Sequence, residues 1–269
     1  MAIYYMMEPW WKKRGYTLDP VLDNNSWEAI QWAAQQDIAS STWSVGDRKA
    51  VVLNGTVEGR TFSNYTVYVH ILGFNHNASV EGNNTIHFQF AYSALTDGKP
   101  ITFTNSYWSS GVGFRMNDTD TNSGGWKDSY MRNTIIPAFT NAMPSDLRAV
   151  LKNVTKYTDN GTGSTHNSSS DVTATSDKVF LLSEYEIKGS RSEANKYEKD
   201  TQLRYDYYVN TKSSTKWNDQ NLGSSIYWWE RSPYYNNATT FCGIDYNGGA
   251  YGSTTASRSC GFAPGFVVG

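Results

Sequence analysis

The sequence predicts an α+β fold built from antiparallel sheets, two or three short helices and long loops. A helix is predicted in NNSWEAIQWAAQQ, where Trp27, Ile30 and Ala34 recur at helical spacing. Asn25 and Glu28 in the same stretch have the spacing of a capping box. Three runs rich in β-branched and aromatic residues then predict an antiparallel meander: KAVVLNG, NYTVYVHILGF and NTIHFQFAYSAL.

The later elements are less regular. GGWKDSYMRNTIIPAF predicts a short helix broken at Pro137, and PSDLRAVLKNV predicts another that begins at Pro144 or Ser145. This second helix would bury three apolar side chains: Leu147, Val150 and Leu151. TDNGTGSTHNSSSDVTATS is predicted to be a polar loop, DKVFLLSEYEI a strand, and residues 188–223 mostly loop.

Composition limits the class of protein. With 269 residues, 39% of them apolar, and a net charge of −2, the chain suits a globular protein. Because Lys and Arg are scattered, the sequence does not favour nucleic-acid binding. It also lacks the long apolar run of a membrane span and the pattern of a secretory signal, so we expect no membrane insertion. We predict an N-terminal arm at residues 1–23 and one ligand-binding domain at residues 24–269.

The segment 234–260 has an unusual composition. It contains four Tyr, four Thr, four Gly, three Asn and three Ser, with Phe241 and Ile244 as plausible inward anchors. Antibody paratopes use the same mixture, in which Tyr supplies rigid contact area and Ser, Gly and Asn supply adaptable hydrogen bonds. The segment also lacks Lys, Glu, Gln, Met and Trp. Replacement of adenines in an AAC or AAT codon cannot produce these five residue types, a pattern typical of adenine-directed mutagenesis.

Several motifs together carry a family resemblance. The frame WWERSP…GFAPGF, with GFNHN, GGWKDSYMR and DKVFLLSEYEI, resembles the variable proteins of diversity-generating retroelements. The resemblance covers roughly residues 24–268 and implies a C-type lectin fold. In that family, error-prone reverse transcription rewrites the ligand-binding residues of the closing segment, here 234–260.

The resemblance implies a role for individual residues. The scaffold of the site would be Trp228, Trp229, Arg231, Ser232, Pro233, Gly261, Pro264 and Phe266. The ligand would be faced by Tyr234, Tyr235, Asn236, Asn237, Gly243, Asp245, Tyr246, Tyr251, Gly252, Ser253, Thr254, Ser257, Arg258 and Ser259. Two positions depart from the family pattern: Glu230 stands where an apolar residue is usual, and Ala263 stands where Arg is usual.

The resulting functional prediction is a receptor-binding protein of a phage tail or phage-like element. It would bind a host cell-surface protein or glycan and would lie on the virion or a bacterial cell surface. A homo-oligomer is possible, a trimer if the domain sits on a tail fibre, with the arm attaching it there. No cofactor, metal or catalytic residue is predicted. Two alternatives stay open: an oxidase similar to formylglycine-generating enzymes that uses Cys242 and Cys260, and a structural tail or surface module without a ligand.

The remaining motifs point to no second site. His70, His76 and His87 match no zinc-ligand spacing and are predicted to be packed or surface histidines. KWNDQN is similar to the Trp-Asn-Asp calcium motif of animal C-type lectins, but its usual partner motif is missing, so Asn218 is predicted to begin a turn. The acidic residues outside these motifs are predicted to be solvated: Asp19, Asp23, Glu184 and Glu186. The two cysteines could pair or remain separate thiols.

Overall fold

The computed structural model describes residues 15–161, 165–211 and 213–269. The helices within these ranges are short: α1 (Trp27–Gln35), α2 (Ala39–Thr42), α3 (Ala78–Glu81), α4 (Gly125–Asp128), α5 (Ile136–Ala142), α6 (Ser145–Val150), α7 (Glu184–Lys188) and α8 (Asp206–Thr211). The strands are β1 (Arg48–Val57), β2 (Arg60–Phe74), β3 (Ile86–Tyr92), β4 (Ile101–Thr102), β5 (Val154–Asp159), β6 (Val172–Asp177), β7 (Val179–Phe180), β8 (Lys216–Asn218), β9 (Asn221–Ile226), β10 (Trp228–Pro233), β11 (Thr240–Ile244), β12 (Ala250–Thr255) and β13 (Gly265–Val268).

The described strands form four sheets. The largest has the order β1-β2-β3-β13-β7 with antiparallel neighbours, and it confirms the predicted meander as β1, β2 and β3. A second sheet, β10-β11-β12, is also antiparallel, and β5 and β6 form a hairpin. The sheet β4-β8-β9 contains a parallel pair between β4 and β8. The chain is therefore a mixed α+β protein with several antiparallel sheets and few short helices, as the sequence predicts.

Aromatic side chains fill the core and join it to the closing segment. Phe88 on β3 stacks on Phe266 on β13 with ring centroids 5.3 Å apart. Phe139 on α5 meets Phe262 edge-to-face at 5.0 Å, and Trp27 on α1 meets Phe88 at 5.5 Å. Such pairs add about 1 kcal/mol each beyond the area they bury. Because β13 lies inside the large sheet, the C-terminal end of the chain is part of the core.

The helix α1 confirms the first predicted helix but has a different cap. Its three predicted inward residues are buried. The N-cap is Ser26, whose Oγ accepts a hydrogen bond from Ala29 N at 3.1 Å. Asn25 Nδ2 instead donates to the carbonyl oxygens of Asp19 and Val21, each at 2.9 Å. The predicted capping role of Asn25 is wrong because its side chain closes the preceding turn.

Of the two helices predicted after β4, the second is confirmed, whereas the predicted break of the first at Pro137 is wrong. Pro137 lies in the first turn of α5, after a π-helical stretch at Met131–Ile135, so it does not break a helix. A missing N–H costs little in a first turn. The helix α6 begins at Ser145, and its three predicted inward residues are buried, as expected.

The stretch DKVFLLSEYEI is not a single strand. Strand β6 ends at the first residue of this stretch, Asp177, β7 covers Val179–Phe180, and the helix α7 begins after Ser183. Ser183 Oγ accepts from Glu186 N at 3.2 Å while Glu186 Oε2 accepts from Ser183 N at 3.0 Å, which makes a capping box. Glu184 and Glu186 are buried at 0% and 1% exposure, so the prediction that they are solvated is wrong.

Two segments predicted as loops contain regular structure. The polar stretch after α6 carries the hairpin of β5 and β6, with six paired residues on each strand. Within 188–223, a 3-10 turn at Lys196–Asp200 and the helix α8 precede β8 and β9. Polar composition misled both predictions because cross-strand pairing and caps, rather than apolar periodicity, hold these elements.

Most of the predicted arm, residues 1–14, lies outside the described residues. Its described end packs on the domain: Leu22 is buried in the core, Leu18 packs against it, and Ala50 N on β1 donates to Asp23 Oδ1 at 2.7 Å. The packed chain thus includes residues before 24. No helix within the described ranges is long and apolar enough to cross a membrane.

Candidate functional site

A buried frame holds the closing segment at both ends. Every residue of β10 is buried, and so are residues 261–268. Trp228 Nε1 donates to Ser214 O at 3.0 Å, and Trp229 Nε1 donates to Phe114 O at 2.9 Å. Both indoles therefore satisfy their polar N–H inside the core. The eight residues predicted as scaffold all lie in this frame and are all buried.

Arg231 ties β10 to α7. Its Nη1 and Nη2 donate to the two carboxylate oxygens of Glu186, its Nη1 also donates to Leu181 O at 3.0 Å, and its Nε donates to Thr158 Oγ1 at 2.8 Å. Burial raises the pKa of Glu186, but the charges of Arg231 and Lys156 outweigh burial and hold that pKa below its usual range. The buried pair is therefore ionised and bidentate.

Lys156 lies between two buried carboxylates. Its Nζ is 3.0 Å from Glu186 Oε1 and 2.6 Å from Glu81 Oε2. His76, Glu81 and Glu186 offer ligand atoms within 4.8 Å of one another, a spacing that suits a metal ion. The ammonium group of Lys156 takes up the position between the carboxylates, so the residues do not fit a metal as they stand.

The histidines singled out in the sequence are packed against tyrosines. His76 stacks on Tyr205 with centroids 3.7 Å apart, and burial followed by the charge of Lys156 lowers the pKa of His76 to about 3. His70 lies apart from it, against Tyr207 at 4.1 Å. Both imidazoles are buried and serve as aromatic packing groups.

Outside the frame, six side chains form what we call the aromatic surface: Tyr107, Trp108, Tyr227, Tyr246, Tyr251 and Arg258. The ring of Tyr227 is central, with its centroid 5.1 Å from Trp108, 5.6 Å from Tyr246 and 4.9 Å from Tyr251. The guanidinium of Arg258 lies 5.4 Å from the Trp108 ring. Trp108 and Tyr246 are 42% and 48% exposed. The surface offers broad amphipathic contact area beside a cation, a combination typical of binding interfaces.

Trp108 is displayed from a strained backbone. Its φ is +69°, in the left-handed region, where a bulky residue costs about 1–3 kcal/mol. Trp108 N donates to Ser259 O at 2.7 Å, and Ser259 N donates to Ser109 O at 2.7 Å, so the closing segment holds this loop in place. Such strain concentrates at functional sites. The fold thus maintains an unfavourable backbone conformation that exposes an indole.

The tyrosines predicted to bind ligand fall into two groups. Tyr246 and Tyr251 belong to the aromatic surface, near the first residue of β10. Tyr234 and Tyr235 follow the last residue of β10, where their rings meet edge-to-face at 5.5 Å and the Arg191 guanidinium lies 4.0 Å from the Tyr235 ring. Both are half-buried, and the neighbouring Asn236 is exposed. The tyrosines predicted to form one site therefore lie in two groups, one at each end of β10.

Five predicted ligand-facing residues are buried: Gly243, Gly252, Thr254, Ser257 and Ser259. A Cβ at Gly243 would lie 2.7 Å from Trp228 O, so the backbone leaves no room for a side chain there. Ser259 Oγ accepts from Phe114 N at 3.0 Å and donates to Asn105 O. The structure places these five residues in the packing beneath the surface.

Two other predicted residues shape turns. Asp245 Oδ1 accepts from the N–H groups of Asn247 at 2.8 Å and Gly249 at 2.7 Å. Asn237 Oδ1 accepts from Thr239 N at 2.8 Å. These are side-chain turns of the kind Asx residues favour. Ser253, by contrast, is exposed on β12.

Both cysteines are free and buried. Burial raises the pKa of the Cys242 thiol well above its ordinary value, and the nearby acidic side chains add to the effect. Burial also raises the pKa of Cys260. Because the thiolate is the reactive form, both groups are inert as they stand. This environment argues against the alternative in which they form an oxidase centre.

The residues of KWNDQN serve structure. The Asp219 carboxylate accepts from the Arg60 guanidinium through both oxygens, from Thr104 N at 2.9 Å and from a tyrosine hydroxyl at 2.8 Å. Asn218 Oδ1 accepts from Gln220 N at 2.9 Å, which confirms that Asn218 begins a turn. The oxygens that calcium would need are already engaged.

Glu230 and Ala263, the two positions that depart from the pattern of the family that the chain resembles, are both buried. Neither carboxyl oxygen of Glu230 has a hydrogen-bond partner among the described residues. Burial, with a smaller contribution from the charge of Glu184, raises the pKa of Glu230 well above its usual value and so favours the neutral acid. Ala263 is also buried, and its carbonyl oxygen accepts from Gln89 Nε2 at 2.9 Å.

Sequence reasoning missed part of the aromatic surface. Tyr107, Trp108 and Tyr227 lie outside 234–260 and were not predicted. The stretch NSYWSSGVG carried the signal, since it places two aromatic residues among Ser and Gly, the mixture that singled out the closing segment. The buried cluster around Lys156 and Glu81 gave no signal because its members are far apart in the chain.

The fold and site define a mixed α+β protein that mounts an exposed aromatic surface on a buried, charged frame. Residues 106–269 match the model of the family described as Domain of unknown function (DUF6273), and the chain belongs to this family. The matched range includes the frame and the whole aromatic surface. None of the curated proteins matches the chain, and no solved structure matches it.

Proposed function

We propose that this protein is a ligand-binding protein of C-type lectin fold that recognises a protein or glycan on a host cell, as a receptor-binding protein of a phage tail or phage-like element. The observation that carries the proposal is the aromatic surface around Trp108. Exposed Trp and Tyr rings beside Arg are the residues that dominate binding hot spots, and the strained Trp108 backbone supports a role in binding. The motif resemblance supports the same class.

The proposal extends to diversification by a retroelement. Of the residues predicted to face the ligand, we expect change at those whose side chains are exposed or half-exposed and hold no turn: Tyr234, Tyr235, Asn236, Tyr246, Tyr251, Ser253 and Arg258. Trp108 and Tyr227, outside the segment, would be constant parts of the site. Display on a trimeric tail fibre would raise avidity without tighter individual contacts.

A binding experiment tests the function. Fluorescently labelled full chain is applied to a glycan array and to a panel of bacterial cells, together with Trp108→Ala, Tyr246→Ala and the control Val52→Ala. Val52 is an exposed apolar residue on β1, outside the aromatic surface. Loss of a hot-spot ring costs about 2 kcal/mol, or roughly 30-fold in affinity. We expect that loss for the two surface variants alone.

Two results would overturn the binding proposal. One is the absence of any bound glycan or cell, which favours a structural module. The other is binding that Val52→Ala weakens as much as Trp108→Ala does. Thermal unfolding of the three variants separates lost contact from lost folding, because none of the three side chains is buried.

Sequencing the locus in related isolates tests diversification. We expect a nearby near-copy of the coding stretch for 228–266, a reverse transcriptase gene, and differences confined to template adenines. Those differences should fall on the seven accessible positions named above. An invariant segment without a near-copy would remove diversification and leave a fixed binding surface.

A further inference from the structure

Lys156, Glu81 and Glu186 form a buried cluster in which an amine lies against two carboxyl groups. Lys156 on β5 and Glu81 at the end of α3 are 1% and 2% exposed, and Lys156 Nζ lies 2.6 Å from Glu81 Oε2. Lys156 Nζ also donates to Glu186 Oε1 at 3.0 Å and to the Tyr205 hydroxyl at 3.2 Å. The amine of Lys156 is thus held in direct contact with the carboxyl group of Glu81 inside the core.

From this geometry we propose that Lys156 and Glu81 form an intramolecular amide bond between Lys156 Nζ and Glu81 Cδ. The amine lone pair attacks the carbonyl carbon of the protonated Glu81, so a C–N bond forms. The C–OH bond then breaks, and the hydroxyl leaves with one proton from Nζ as a water molecule. No oxidant, reductant or co-reactant is required.

The surroundings favour the reactive forms. The forms that react are the neutral amine and the neutral acid, which differ from the buried ion pair by one proton transfer within the pair, and burial disfavours separated charges. Burial raises the pKa of Glu81 despite the opposing charge of Lys156. The Phe180 ring lies 4.0 Å from Nζ and contributes to the apolar wall of the cluster.

Glu186 is placed to carry the proton. Its Oε1 lies 3.0 Å from Lys156 Nζ, and its carboxylate is held by the two nitrogens of Arg231. It can accept the proton released by the attacking nitrogen and pass it to the departing hydroxyl. Because Glu186 contacts a reacting atom in a fixed orientation, its role is catalytic.

Charge balance and proximity favour the product. The cluster holds two acids, Glu81 and Glu186, and two bases, Lys156 and Arg231, all buried. The amide removes one of each and leaves the Glu186–Arg231 pair balanced. Groups fixed in contact react with effective molarities on the order of 10⁵ M or more. The other product is one water molecule.

The bond would link two distant parts of the chain. Glu81 lies between β2 and β3 of the large sheet, whereas Lys156 belongs to the β5–β6 hairpin. A covalent link between them would close residues 82–155 into a loop. It would keep the hairpin attached to the sheet under pulling forces or partial unfolding.

Mass spectrometry of the denatured full chain is the test. We expect the wild-type chain to be lighter than its sequence by one water, and protease digestion to yield a branched peptide joining Lys156 to Glu81. The variant Lys156→Arg keeps the cation but lacks the nucleophilic amine, so it should have the full sequence mass. It should also migrate more slowly than wild type on a denaturing gel, because its chain is not looped.

The wild-type measurement decides the matter even if a variant fails to fold. A wild-type mass equal to the sequence mass, in fresh protein and after prolonged incubation, overturns the proposal. A loss of water mapped elsewhere, such as a succinimide at Asp97–Gly98, overturns it too. For folded Glu186→Gln we expect slower or absent bond formation, and formation at the wild-type rate would refute the catalytic role of Glu186.

Discussion

Replacement of Arg231 by Met should destabilise the protein strongly while keeping its volume. The substitution removes the bidentate contact with Glu186 and the hydrogen bonds to Leu181 O and Thr158 Oγ1, all inside the core. Glu186 would then be a buried carboxylate without its bidentate partner. Breaking a buried pair from one side costs about 3–5 kcal/mol, a large part of the 5–15 kcal/mol that stabilises a typical domain.

Urea unfolding followed by tryptophan fluorescence measures this loss. We expect a lower midpoint with an unchanged slope, and a melting temperature lower by on the order of 10 °C. The double variant Arg231→Met with Glu186→Gln is the matched control, because it removes both charges and should recover part of the loss. A loss below about 1 kcal/mol for Arg231→Met, or no recovery in the double variant, would refute the view that this pair is ionised and buried.

Three further predictions concern the closing segment and the β10 strand before it. Gly243→Ala should cost about 1–3 kcal/mol in urea unfolding, since its Cβ would lie 2.7 Å from a backbone oxygen. Gly252→Ala should cost less, because the nearest atom to its Cβ is a carboxylate oxygen of Glu193 that can rotate away, and Glu193 Cβ lies farther off at 3.1 Å; equal losses would contradict this. The pKa of Glu230 is raised in the folded state, so the free energy of unfolding is highest below about pH 4 and falls as pH rises toward the folded pKa. Glu230→Met lacks this loss, so it should be more stable than wild type at pH 7, with a gain that shrinks toward pH 4. Cys242 and Cys260 should resist a maleimide in the native protein and both react in urea, and rapid native labelling would show that a thiol is accessible.

The sequence predicted the elements that depend on local pattern. Alternating β-branched residues gave β1 to β3, and apolar spacing gave α1 and α6, because burial on one face leaves a periodic trace. It failed at α7, where a Ser183–Glu186 capping box outweighed a run that looked like a strand. It also failed for the hairpin β5–β6, whose polar residues pair across strands instead of forming a periodic apolar face.

The buried charges could not be predicted. A glutamate in SEYEI looks like a solvated residue unless the fold is known to bring Arg231 and Lys156 against it, from 45 and 30 residues away in the chain. Burial of a charge depends on such long-range partners, and single-sequence patterns carry no record of them. The same reason hid Trp108, whose role depends on contacts with Ser259 and Tyr227.

Hydrogen bonds to its backbone hold the turn between β11 and β12, so its side chains can change while its shape is kept. Lys188 Nζ and Ser214 Oγ both donate to Gly248 O, so the turn is fastened through its backbone. Asp245 completes it by accepting from backbone N–H groups. None of these bonds uses the ring of Tyr246 or Tyr251. Substitutions at the two tyrosines should therefore alter the aromatic surface without altering the turn, whereas Asp245 should stay constant even if the segment around it is diversified.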